Sequence, residues 1–133
     1  MVDLAEIEPG SRHAYERTFD REDVERFADL SRDEGYHHLV GDGDGAVLVH
    51  GLLTATLPTK LGGDIDYLAR TMEFEFPRPV FTGQPIACEL TIEGLQEREE
   101  RYELEASFEC LDADGQVVMR GRTDGVVLKD RVG

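Results

Sequence analysis

A mostly apolar stretch in the middle of the chain constrains the fold more than any other segment. Val47, Leu48, Val49, Leu52, Leu53, Ala55, Leu57 and Leu61 carry it, and it ends at Gly62-Gly63. A helix built from it is apolar around most of its circumference, so it belongs in the interior, wrapped by other elements. Pro58 falls inside it and predicts a kink or a break. With 133 residues, the chain suits one domain, residues 1–133, burying roughly two thirds of the surface that its unfolded form exposes.

From Tyr67 onward the hydrophobic period changes to two. Met72, Phe74 and Phe76 alternate with Thr71, Glu73 and Glu75; Ile86, Cys88, Leu90 and Ile92 follow, then Tyr102, Leu104, Ala106, Phe108 and Cys110. This alternation predicts half-buried antiparallel strands. Asp112-Ala113-Asp114-Gly115 is expected to turn as type I′ into a returning strand, Val117 to Leu128. Glu97 to Arg101 is a charge run expected at a surface hairpin. Ahead of the apolar stretch, His13 to Phe19 suggests one more strand. Asp20, with Asp23 as a loose capping box, then opens a helix carrying Val24, Phe27, Ala28 and Leu30 on one face. One apolar helix after the first strand, against a five- to six-stranded antiparallel sheet, is the α+β hot-dog arrangement. Its sheet edge calls for a second copy, so a homodimer is expected.

Charge narrows the partners. The 29 acidic residues outnumber 14 basic ones, for a net charge of −15, and only Lys60 and Lys129 are lysines. Such a surface repels nucleic acid and anionic membranes. Its self-repulsion fades when salt shortens the Debye length to about 3 Å near 1 M, so a high-salt, halophilic cytoplasm is the expected setting. The first residues, Met1 to Glu8, hold neither a basic region nor a long apolar run, which argues against a signal peptide or anchor. Cys88 and Cys110 form no CxxC motif and suit two buried small side chains.

The chemistry concentrates just before the apolar stretch. Asp33 and His38 stand five residues apart, and His50-Gly51 opens the helix. A carboxylate and an imidazole make a proton-transfer pair, and a helix start offers free N–H groups to an anion. His37 competes with His38 for the role. No pair of helical histidines accompanies a glutamate, so no metal site is expected, and Asp42-Gly43-Asp44-Gly45 lacks the later ligands of a calcium loop. Gly41 to Gly45 reads as a short flexible loop.

These segments resemble the MaoC-like hydratases, close to the (R)-specific enoyl-CoA hydratases. That family carries Ser-Gly-Asp-x-Asn-Pro-x-His, then His-Gly-Met-Leu, then Phe-x-Phe-x-x-Pro-Val-x-x-Gly-Asp. Here the segments are Ser31-Arg32-Asp33-Glu34-Gly35-Tyr36-His37-His38, His50-Gly51-Leu52-Leu53, and Phe74-Glu75-Phe76-Pro77-Arg78-Pro79-Val80-Phe81-Thr82-Gly83-Gln84. Asn-Pro is replaced by Gly35-Tyr36, and the spacer from His38 to His50 is about five residues shorter than the family usually has. The resemblance implies Asp33 and His38 as the catalytic pair. It implies Gly51, His50 and Thr59, the hydroxyl residue eight positions after Gly51, as oxyanion and substrate-binding residues. It also implies an acyl-CoA thioester substrate with no cofactor beyond the coenzyme A of that substrate. The expected reaction interconverts trans-2-enoyl-CoA and (R)-3-hydroxyacyl-CoA. A hot-dog thioesterase is the nearest alternative, and a non-catalytic acyl-CoA-binding module or a subunit of an acyl-transfer assembly is another. Arg78, Arg120 and Arg122 have the planar charge to meet coenzyme A phosphates, although pairing with surface carboxylates is the simpler expectation.

Overall fold

The computed structural model describes residues 1–41 and 45–133. The reading of the Asp42-Gly43-Asp44 loop therefore lies outside the described residues. In chain order the elements are β1 (Arg12–Thr18), α1 (Arg21–Ser31), α2 (Tyr36–Leu39), α3 (Gly51–Thr54), α4 (Thr56–Asp64), β2 (Leu68–Glu75), β3 (Pro85–Glu97), β4 (Arg101–Leu111) and β5 (Val117–Leu128). The strands form one antiparallel sheet in the order β1-β3-β4-β5-β2.

Pro58 divides the apolar stretch, as its missing N–H requires. The helix breaks at Ala55, which places Pro58 in the first turn of α4, where no N–H is needed. Leu53, Ala55, Leu57 and Leu61 are buried with Ile86, Cys88, Leu90 and Ile92 of β3 and Leu104, Ala106, Phe108 and Cys110 of β4 in one core. The wrapping is one-sided: α4 packs on β1 and β3, and Leu52 is exposed.

That placement corrects the expectation for β2. Of its apolar residues only Phe74 is half-buried; Leu68 and Met72 are exposed, as is Phe76 just beyond it. The strand lies at the sheet edge farthest from β1, whereas α4 packs on β1 and β3. Leu30 is likewise 82% exposed, since α1 buries only Val24 and Ala28 before ending at Arg32 in the left-handed conformation. The capping box forms: Asp20 accepts from the Asp23 N–H at 2.8 Å, and Asp23 accepts from the Asp20 N–H at 3.0 Å.

Tight packing at the β2–β5 seam depends on glycine. A Cβ on Gly121 would lie 1.9 Å from the Glu73 carbonyl oxygen and 2.7 Å from the Phe108 ring. Phe74 and Phe108, with centroids 5.5 Å apart, close over the space. The Asp112–Gly115 turn is not type I′, because Gly115 alone has positive φ, 78°. Asp112 instead accepts from the Gly115 N–H through its carbonyl and from the Asp114 and Gln116 N–H groups through its side chain, the chemistry of a type I turn ending in a left-handed glycine.

Cys88 and Cys110 are free, buried and directly opposite one another in the β3–β4 register. Contact with the Cys88 thiol, together with burial, raises the Cys110 pKa well above the ordinary thiol range. The Glu97–Arg101 charge run is the β3–β4 hairpin, closed by the Arg98 N–H on the Arg101 carbonyl.

Candidate active site

Asp33 sits between α1 and α2, where its side chain organises the turn. Its Oδ1 accepts from the Gly35 N–H at 3.2 Å, and its own N–H donates to Ser31 Oγ at 3.1 Å. The other carboxylate oxygen, Oδ2, faces His38 Nε2 at 3.8 Å. One water can touch two groups at that separation. His38 is buried on α2, 6% exposed, while His37 is exposed; His38 is thus the histidine set against Asp33.

The tautomer of His38 follows from its partner. Nδ1 lies 2.7 Å from the Leu48 carbonyl oxygen, which can only accept, so Nδ1 carries the proton. In the neutral ring Nε2 then presents a lone pair toward Asp33. Arg21 braces the same region, donating to the Leu39 carbonyl at 3.0 Å and the Gly45 carbonyl at 3.1 Å.

His50 has a different place from the one expected of it. It is 1% exposed and does not line the cavity; its Nε2–H donates to the Asp33 carbonyl at 2.9 Å. Its ring stacks on His38, centroids 3.7 Å apart and planes 13° from parallel, and Phe27 packs on it at 4.8 Å. Its Nδ1 is buried and has no hydrogen-bond partner among the described residues. His50 therefore positions Asp33 and His38 rather than touching a ligand. Its bond to the Asp33 carbonyl ties the loop carrying Asp33 to the start of α3. The nearest ligating atoms of Asp33, His38 and His50 lie within 4.8 Å of one another. The two rings are almost parallel, so their in-plane lone pairs run side by side and do not converge on one ion.

Gly51 is the first residue of α3, where its N–H has no partner within the helix. It lines a cavity of about 450 Å³ together with His37, His38, Leu48, Val49, Thr54, Phe76, Arg78, Val80 and Val118. A Cβ on Gly51 would lie 3.1 Å from the Phe76 ring, so glycine here also admits that aromatic wall. Thr59 is not brought to this cavity: it is exposed and its hydroxyl donates to the Ala55 carbonyl at 2.9 Å. The buried hydroxyl residue on the cavity wall is Thr54, one helical turn after Gly51. That spacing could have indicated it in the sequence, whereas nothing local marks Phe76 as lying over Gly51.

A larger hollow, about 740 Å³, covers the outer face of the sheet. Glu73, Glu75, Glu89 and Glu109 line it with Arg120 and Arg122. It lacks a paired imidazole and carboxylate, and its carboxylates oppose an anionic ligand.

No family model and no curated protein matches this sequence. Solved structures do. The (R)-hydratase PhaJ1 of Pseudomonas aeruginosa, in its unliganded form, superposes with a TM-score of 0.78 at 20% identity, over 93% of this chain and 84% of that one. An (R)-hydratase of A. caviae involved in PHA biosynthesis gives 0.78 at 22% identity, over 89% and 95%. The chain has the hot-dog fold. A MaoC-like dehydratase of Rhodospirillum rubrum shares it, with a TM-score of 0.73 at 17% identity over 96% of this chain and 97% of that one. Its structural neighbours thus include (R)-hydratases and MaoC-like dehydratases. Among the described residues no helix is long and apolar enough to cross a membrane.

Proposed function

We propose that this chain is a hydro-lyase acting on acyl-CoA thioesters, interconverting trans-2-enoyl-CoA and (R)-3-hydroxyacyl-CoA. The observation that carries the reading is the facing of His38 Nε2 and Asp33 Oδ2 at 3.8 Å, with His38 and the Gly51 helix start on one cavity wall. A water held by both groups gives its oxygen to the β-carbon of the enoyl thioester and a proton to this pair. The pair returns a proton to the α-carbon. Negative charge passing onto the thioester oxygen meets the Gly51 N–H. Acid–base groups of this kind contribute about 10²- to 10⁴-fold each, and one preorganised donor about 3 kcal/mol. The reaction uses neither metal nor redox cofactor.

The working unit in this proposal is a homodimer or higher homo-oligomer, supported by the exposed apolar residues Leu68 and Met72 of β2, the free edge of the sheet. The setting is a high-salt cytoplasm, supported by the net charge of −15. Facing carboxylates such as Glu89 opposite Glu109 support it as well.

Loss of enoyl absorbance with crotonyl-CoA in concentrated KCl tests the function. Hydration by the wild type is expected. Release of free thiol without hydration would instead assign a thioesterase.

A further inference from the structure

The three arginines with the charge to meet a phosphate have separate fates in the fold. Arg120 is spent on Glu75, its Nε 2.7 Å from the carboxylate. Arg122 lies on the outer face of the sheet, paired in register with Glu73 on one side and Ser107 on the other. Only Arg78 lines the cavity that holds His37, His38 and Gly51.

Arg78 is also held ready. It stands between Pro77 and Pro79, and a residue before proline is confined to extended backbone, while each proline fixes its own φ. Its Nη1 donates to the Val117 carbonyl at 3.2 Å, which fixes one end of the guanidinium. Among the described residues it has no carboxylate within 4.0 Å. In a chain with 29 acidic and 14 basic residues, an arginine on a cavity wall with no acidic partner among the described residues is a local reversal of charge. It is exposed as well as lining the cavity, so solvent and the cavity both reach it.

We infer that Arg78 is a binding residue for the phosphoryl group of the thioester's carrier, the anion common to coenzyme A and phosphopantetheine. The inference rests on the acyl-thioester reading of the cavity. A planar guanidinium with one edge committed to Val117 still has N–H groups to give two phosphate oxygens. It also gives an acidic protein one point at which an anionic substrate is attracted rather than repelled.

Binding of free carriers tests this independently of catalysis. Titration calorimetry in fixed salt would compare coenzyme A, 3′-dephospho-coenzyme A, phosphopantetheine and pantetheine on the wild type, Arg78→Ala and Arg78→Lys, with thermal melts to confirm folding. Wild type should prefer the phosphorylated carriers to pantetheine, and Arg78→Ala should lose about tenfold of that preference, the scale of one charge-assisted contact. Arg78→Lys should restore part of it. Whether dephospho-coenzyme A and phosphopantetheine retain the effect identifies which phosphate is read. Equal preference in wild type and Arg78→Ala, or no carrier binding by the wild type, overturns the inference. Carrier binding with the expected Arg78 dependence but no hydration of crotonyl-CoA overturns the hydratase reading alone.

Discussion

The imidazoles of His38 and His50 lie one over the other, 3.7 Å between centroids and 13° from parallel. Each is tied by a different nitrogen to a different carbonyl, Nδ1 of His38 to Leu48 and Nε2 of His50 to Asp33. The stack joins α2 to the start of α3, and the His50 hydrogen bond ties the loop carrying Asp33 to the same point.

His50→Phe keeps an aromatic ring in the stack but removes the hydrogen bond to Asp33. With misplacements near 1 Å costing about 100-fold, kcat for hydration is expected to fall by that order while KM changes little. Steady-state kinetics read both; an unchanged kcat contradicts the positioning role.

The free edge of β2 predicts assembly. Met72→Glu places a charge on that exposed apolar edge, and light scattering should show a shift from dimer to monomer. A wild type that is monomeric at working concentration in high salt removes the dimer from the account.

Salt should stabilise the fold. Glu89 faces Glu109, and Glu105 faces Asp124, directly across neighbouring strands, an arrangement that like charges disfavour. Thermal melts from 0.1 M to about 3 M KCl should move to higher Tm as screening shortens its range. Glu109→Gln should reduce that dependence. A melting temperature indifferent to KCl contradicts it.

Gly121→Ala tests the β2–β5 seam. With the Glu73 oxygen 1.9 Å from the added Cβ, the strands must separate or shift, and overpacking of this kind costs about 1–3 kcal/mol. Denaturant unfolding should show that loss.

Much of the frame was legible because periodicity reports burial directly. The break near Pro58, the Asp20 cap and the alternation of β3 and β4 each follow from local chemistry, and each is present. Local reasoning fails where neighbours distant in sequence decide the outcome. The alternation in β2 gives a side-chain face but not its cover, and α4 covers β1 and β3 instead. The spacing of Asp33 and His38 is readable, and so is the helix start at Gly51. The inward turn of His50 toward the Asp33 carbonyl is not, because no residue near it in sequence is its partner. Motif spacing points to Thr59, and helix geometry brings Thr54 to the cavity instead. Asp114 takes an ordinary turn conformation because Asp112 caps the turn through its side chain.

The central claim is that Asp33 and His38 act together on one water. Its most direct measurement is the crotonyl-CoA hydration rate, in concentrated KCl, for wild type, Asp33→Asn, His38→Gln and the double variant. The account predicts a loss of at least about 100-fold for each single variant, with the double variant little worse than either, as groups serving one step behave. Hydration that survives Asp33→Asn at the wild-type rate would contradict it.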